Sequence, residues 1–497
     1  MLKILTSDQI RAWDAYTIRN EPIASIDLME RACRQFVTWF TERFNADKKV
    51  GVVCGTGNNG GDGLGIARML REWGYPVKVW IVRGGAGASE DFTTNLDRLS
   101  SLAEIVEVVN AGDPMALDWC DLIIDGIFGS GLSRPPEGVY AYAIEAVNKA
   151  DATRIAIDIP SGLMADAPSS GSIVRADFTV TFQLPKLAMY LPGNYPYTGE
   201  WVAVDIGLKR EYLKDAASSI HQLRRKDIRK IRKRRSAFGH KGDYGRAVLV
   251  SGSYGKMGAT VLSSRAAIRS GLGLLTVHVP ACGYTIMQTA VPEAMVSVDS
   301  GEYHIQAVPD LADADAVGVG PGLGTAADTA MGLRRLLEVQ RSPMVLDADA
   351  LNIIAADPGL LQLLPQWSIL TPHPKEFERL AGTWKNDYEK LDVLKGFAKR
   401  QNVIVVLKGR YSAIATPGGE IYFNPTGNPG MATGGSGDVL TGIFTALLAQ
   451  GYSPLEASLL GTYLHGHAGD LAAADKSVEG LISSDLIDYL PQAFRLL

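Results

Sequence analysis

A chain of 497 residues is too long for one hydrophobic core, so two or three domains are expected, and 46% hydrophobic residues are ample for buried sheets. The formal charge of −5 argues against a general nucleic-acid or membrane-surface role. Cys33, Cys54, Cys120 and Cys282 stand far apart with no CxxC or histidine spacing, which removes zinc and disulfide frameworks; with no leader-like start and no apolar run of membrane length, the expectation is a cytoplasmic protein.

Thr6 with Gln9 forms a capping-box pattern for a first helix, and Leu28, Met29, Ala32, Phe36, Val37 and Phe40 mark one face of a second; both read as packing helices. From Lys49 the pattern becomes strand then helix, with strands predicted at 50–54, 77–82, 122–127, 155–159, 178–182 and 201–205 and a helix over 64–73. Short buried strands alternating with helices predict an α/β domain whose mostly parallel sheet is covered on both faces. Between Ile206 and Asp243 the pattern lapses, and a dense basic run from Arg224 to Arg235 predicts a solvated linker or a lid beside a phosphate site, with a domain boundary near its beginning. A second alternating unit follows, with strands at 247–250, 275–279, 316–319, 345–347, 368–371 and 403–407 and helices over 258–270, 439–450 and 455–472.

In the first unit three turns follow predicted strands: GTGNNGGDG (55–63), DGIFGSGLSRP (125–135) and DIPSG (158–162). The first contains GxGxxG, but a dehydrogenase-type dinucleotide fold places Asp or Glu at the end of the next strand, where this chain has Arg83. Open α/β sheets bind ligands at the C-terminal ends of their strands, so the three turns can meet there. They would bring together backbone amides, the oxygen donors Asn59, Asp125 and Ser161, and the carboxylate of Asp158; such a donor set suits a hard cation of low charge, an alkali ion.

On these motifs, with Pro185 and Lys186, residues 1–213 resemble the N-terminal epimerase domain of the NAD(P)H-hydrate repair proteins. The resemblance implies a Rossmann-like three-layer domain that interconverts the R and S hydrates of NADH and NADPH, NADHX and NADPHX. It implies substrate binding by Asn58, Asn59, Gly60, Gly61 and Asp62, by Gly129, Ser130, Gly131, Leu132, Ser133, Arg134 and Pro135, and by Asp158, with potassium held by Asn59, Asp125 and Ser161. Asp158 is the candidate for proton transfer, as the carboxylate placed at the substrate rather than among the cation ligands, and Lys186 is the second candidate.

The second unit is organised around ATGGSGD (432–438), which runs into the apolar periodic segment 439–448. Glycines at the mouth of a helix let N–H groups converge on an anion where the helix dipole is positive. Asp438 would repel a bound phosphate unless it takes a proton from a hydroxyl while the amides hold the charge developing on a transferring phosphoryl group: an anion hole with a base. SGSYGKMGA (251–259), GPGLG (320–324), LDADALN (346–352), TPHPKE (371–376) and LKG (407–409) again follow strands. Lys408 offers a point charge for nucleotide phosphates, Asp347 and Glu376 can hold magnesium through water, and His373 between two prolines is held rigidly.

Residues 223–497 resemble the ribokinase-like superfamily and, within it, the ADP-dependent NAD(P)HX dehydratases. The resemblance implies adenine nucleotide near Lys408, Gly409, Arg410, Tyr411, Ser412 and Gly437, and the hydrated nucleotide near Ala259, Gly322, His373 and Asp438. Lys375 stands where the family usually has Gly, and Ser412 where Thr is commoner. The expectation is a bifunctional isomerase and lyase: epimerisation in the first domain, dehydration of the S hydrate in the second with ADP converted to AMP and phosphate, K+ in the first site and Mg2+ in the second. Its partners are expected to be small molecules, with neither nucleic acid nor membrane, and the chain to be a homo-oligomer. The alternatives are a ribokinase-like small-molecule kinase with a nucleotide-binding N-terminal module, and a first domain that only senses nucleotide or docks protein.

Overall fold

The computed structural model describes residues 1–85 and 87–497. Two compact units emerge: Ile4–Ser218 with Asn386–Tyr388, and Met1–Lys3 with Ser219–Lys385 and Glu389–Leu497. The first strand of the chain, β1 (Leu2–Lys3), thus falls in the second unit.

In the first unit seven parallel strands, β2 (Val50–Cys54), β3 (Val77–Val82), β4 (Glu104–Val108), β5 (Leu122–Gly126), β6 (Thr153–Ile157), β7 (Phe178–Phe182) and β8 (Glu200–Val204), lie in the order β4-β3-β2-β5-β6-β7-β8. The central strands are buried along their whole length, as strands with helices on both faces of a parallel sheet must be. The strand order reverses between β2 and β5, which opens a crevice at their C-terminal ends. The edge strand β4 escapes the sequence pattern because it pairs on one side only and keeps Glu104 and Glu107 exposed. The expected capping box is present, Gln9 N donating to Thr6 Oγ1 (3.4 Å) and Thr6 N to Gln9 Oε1 (3.0 Å), and the six apolar residues read on the second helix, Ser25–Thr41, are all buried.

In the second unit β9 (Ile220–Gln222), β10 (Arg246–Val250), β11 (Leu274–Val279), β12 (Met295–Val298), β13 (Ala316–Val319), β14 (Val345–Leu346), β15 (Ile369–Leu370), β16 (Ile404–Leu407), β17 (Ala413–Ala415) and β18 (Ile421–Phe423) join β1 in an eleven-stranded sheet, ordered β1-β9-β18-β17-β16-β15-β14-β13-β10-β11-β12. From β12 to β16 the pairs are parallel, whereas β17 pairs antiparallel with both neighbours. Strand order reverses at β10, so the turns after β10 and β13 flank the second crevice.

The basic run is solvated, as expected, with Arg225, Lys226, Arg229, Lys230, Arg232, Lys233, Arg234 and Arg235 all exposed, but it is more than a linker. Its helix Arg225–Ile231 packs Ile228 into the core, and four of its cations reach carbonyls at the C-terminal ends of other helices. Arg225 donates to Leu496 O and Arg232 to Phe494 O (2.7 Å), at the end of Ser483–Leu496. Lys233 reaches Gly451 O (2.5 Å) just past Ser436–Ala449, and Arg235 reaches Gly271 O just past Met257–Arg269. Terminal carbonyls carry the negative end of the helix dipole, so a cluster of cations here is electrostatically matched to its place. Among the described residues no helix is long and apolar enough to cross a membrane.

Candidate active sites

The GNNGGDG stretch is not a loop in the structure. It forms the first turns of the helix Asn58–Glu72, which begins six residues before the expected start. Gly60 explains why: a Cβ there would stand 1.9 Å from Gly55 O, so only glycine lets the helix begin this close to the strand end. Gly60 and Gly61 therefore serve packing, Gly61 against Met29, and with Pro135 they stay out of the cleft.

The other predicted residues of the first site come together around a cleft of about 740 Å³, lined by Asn58, Asn59, Asp62, Gly129 through Arg134, Asp158 and Lys186. The oxygen donors converge behind it. Asn59 Nδ2 donates to Phe128 O (2.9 Å), Phe128 N donates to Ser161 Oγ (2.8 Å), and Ser161 Oγ donates to Asp125 Oδ1 (2.6 Å). Ser161 N and Ile127 N complete the hold on Asp125 (2.7 and 3.2 Å). Burial pushes the Asp125 carboxyl up to about 6, against the lowering effect of these hydrogen bonds.

Asp158 follows β6 with φ +65°, a strained left-handed conformation for a non-glycine residue that turns its carboxylate toward Lys186. Lys186 is wholly buried (1% exposed) and donates to Asp158 Oδ1, to Thr181 Oγ1 (2.8 Å) and to Phe182 O (3.1 Å). Burial would raise the Asp158 carboxyl, but the Lys186 ammonium, Phe182 N–H and the Ser130 hydroxyl outweigh it and hold it below the usual range.

In the second unit Gly435 (φ +93°) caps the helix Ser436–Ala449 and sets Gly437 and Asp438 in its first turn. Gly437 lies against Lys408 and Asp347: a Cβ there would be 3.3 Å from Lys408 Nζ and 3.4 Å from Asp347 Oδ2. Lys408 pairs with Asp347 Oδ1 (2.9 Å), whose Oδ2 accepts from Thr441 Oγ1 (2.8 Å). Asp347, Glu376 and Asp438 overcome burial and hold the Lys408 ammonium above its usual value. Asp438 makes no hydrogen bond or ion pair among the described residues; burial, with the Asp347 and Asp349 carboxylates, pushes it up to about 7 against the pull of Lys408.

His373 proves to be a helix cap. Its Nδ1 accepts from Lys375 N (3.1 Å) and Glu376 N (3.3 Å), while Glu376 Oε2 accepts from His373 N (2.8 Å). Gly322 packs against Ala259, Arg410 donates to Gly427 O (2.8 Å) with its guanidinium over the Tyr411 ring, and Ser412 Oγ closes the turn on Gly409 O (3.2 Å). No cluster of three or more His, Cys, Asp and Glu side chains suited to a metal occurs among the described residues.

Two family profiles match the chain, NAD(P)H-hydrate dehydratase over residues 247–492 and YjeF-related protein N-terminus over residues 25–188. A bifunctional NAD(P)H-hydrate repair enzyme of Moorella thermoacetica is 37% identical over 99% of this chain and 96% of its own length. The chain belongs to the bifunctional NAD(P)H-hydrate repair enzymes. Its counterpart in Escherichia coli is 33% identical over 88% of this chain and 84% of the relative. A ribokinase-like superfamily protein from Enterococcus faecalis superposes with a TM-score of 0.50 at 27% identity, covering 56% of this chain and 97% of that one. The first unit is accordingly Rossmann-like, and the second is ribokinase-like.

Against this family background, two features of the sites escaped the sequence reading. The helices Ser7–Asn20 and Ser25–Thr41 are more than packing: Ile10, Arg11, Asp14, Leu28 and Met29 line the first cleft. The signal was a carboxylate in a buried stripe, since Asp14 continues the spacing of Ile10, Trp13 and Thr17. In the second unit, His465 approaches Ser436 O through Nε2 (2.9 Å) and so holds the first turn of the helix Ser436–Ala449; burial lowers it to about 4, so the ring is neutral. Nothing in the periodicity of its own helix, Pro454–Lys476, marks that histidine.

Proposed function

We propose that the first unit epimerises the R and S hydrates of NADH and NADPH and that the second dehydrates the S hydrate at the expense of ADP. The observation that carries the reading is Asp438, unpaired, half-buried and raised to about 7 at the mouth of the helix Ser436–Ala449, beside Lys408. A carboxyl at that value accepts a proton at neutral pH without being already neutralised by a partner.

A ring hydroxyl is a poor leaving group. Asp438 takes its proton as the oxygen attacks the terminal phosphoryl group of ADP, and AMP departs. The amides of the first turn, with Lys408, stabilise the charge that spreads over the transferring group. The carbon–oxygen bond to the new phosphate then breaks, a proton leaves the adjacent carbon, and the conjugated dihydronicotinamide returns. His465 keeps the first turn in place. Asp347 is already neutralised by Lys408, and Glu376 is fixed on the His373 backbone. These carboxylates suit magnesium that arrives with the nucleotide and is touched through water. In the first unit Asn59, Asp125 and Ser161 would hold potassium; their oxygen-only set around the Phe128 carbonyl fits it, and the ion supplies counter-charge to a fully buried carboxylate.

A lasting kinase product is disfavoured, because relatives that match nearly the whole chain are repair enzymes in both halves. The test is an assay on separate R and S hydrates with ADP, with ATP and without nucleotide. The near-ultraviolet absorbance of reduced nicotinamide should return with S hydrate and ADP, and with R hydrate at a rate set by the first unit. A stable phosphorylated hydrate with no return of absorbance would refute the reading.

A further inference from the structure

The first cleft holds a second carboxyl that the roles above leave idle. Asp14 sits half-buried on the inward stripe of Ser7–Asn20 and opens into the cleft with no hydrogen bond or ion pair among the described residues. Asp158, in the same cleft, is committed to Lys186. Asp62 and Asp91 line the cleft from neighbouring helices, with Arg11 and Arg134 as its exposed cations, Arg11 paired to Asp8.

We propose that Asp14 is the proton donor of the epimerising site and that Asp158 is its ionised counterpart. The proposal rests on the epimerase reading of the first unit. Water adds to a dihydronicotinamide with its oxygen on the carbon next to the ring nitrogen, so the hydroxyl can leave with help from that nitrogen. Asp14 protonates the hydroxyl, the carbon–oxygen bond breaks with its electron pair going to the departing water, and the nitrogen lone pair forms an iminium. Water adds to the other face and gives a proton to Asp158; Asp158 releases that proton to solvent and Asp14 takes one back, which resets the site. The reverse reaction runs the same path with the proton starting on Asp158.

Environment divides the two carboxyls in the way such a pair needs. Burial and the Asp158 charge raise Asp14 to about 7 despite Lys186, whereas Asp158 is lowered. In the resting site near neutral pH the proton therefore sits on Asp14, and Asp158 is the base that receives one from the incoming water.

The test uses the full chain. Asp14→Asn should lower kcat for conversion of R hydrate about a hundredfold or more, with KM for R hydrate within about threefold and ADP-dependent dehydration of S hydrate unchanged. Asp14→Glu should restore most of the rate. The wild-type epimerase rate should fall as pH rises through about 7, the value assigned to Asp14. Epimerisation by Asp14→Asn within about threefold of wild type overturns the proposal, as does loss of kcat together with binding, or a wild-type profile flat from about pH 6 to 8.5. A wild-type chain that cannot convert R hydrate at all refutes the epimerase reading itself; a competent wild type with an unaffected variant refutes only Asp14.

Discussion

Each unit sets aspartates and a lysine at the C-terminal edge of a parallel sheet, yet the two use the lysine in opposite ways. In the first, Lys186 is buried against Asp158 and keeps that carboxylate charged. In the second, Lys408 is held by Asp347, and Asp438 is left to rise to about 7. The same residue types thus leave a carboxyl held below its usual range in one site and one raised close to neutrality in the other. What differs is which carboxylate the lysine engages, and that is a property of the packing around it.

The largest break in this comparison is Asp438→Asn, which should cut ADP-dependent dehydration by about 10³-fold or more while R and S hydrates still interconvert. It also carries a stability signature. The folded state holds a proton on Asp438 that the unfolded chain releases from about pH 4 upward, so stability falls as pH rises toward 7 and the loss is complete above it. Asp438→Asn should therefore unfold at a higher temperature than wild type at pH 8, with the difference shrinking at pH 4.

Lys186→Met comes next. It strands Asp158 in a buried site and should destabilise the first unit by about 3–5 kcal/mol in denaturant unfolding, with Lys186→Met/Asp158→Asn recovering much of the loss. No recovery in the double variant would show that the lysine matters for more than its partner's charge.

Exchanging potassium for sodium should slow epimerisation several-fold and leave dehydration within assay error. Equal effects on both rates would contradict the assignment of Asn59, Asp125 and Ser161. The smallest effect belongs to the basic run: Arg232→Ala removes one cation from the end of Ser483–Leu496 and should cost about 0.3–1 kcal/mol in the second unit, less at high salt, with both activities retained.

Much of this was legible along the chain. Buried strands such as Val50–Cys54 and Ala316–Val319 declare themselves because both faces are covered and every residue is apolar. Edge and very short strands do not: Glu104–Val108 is half solvated, and Ala413–Ala415 is too short to carry a period. The start of the helix Asn58–Glu72 was hidden because glycine is a poor helix former by propensity, while here close packing on Gly55 demands it.

The sequence by itself determined the two α/β units, the turns that carry the chemistry and the family to which the chain belongs, because strand periodicity and turn composition are local. Only the tertiary structure decided that Lys186 is buried on Asp158, that Lys408 is engaged by Asp347, that Asp14 faces the first cleft and that the basic run closes helix ends. Those are pairings between residues distant in sequence, and the charge a carboxyl carries depends on burial and on partners that no stretch of chain contains within itself.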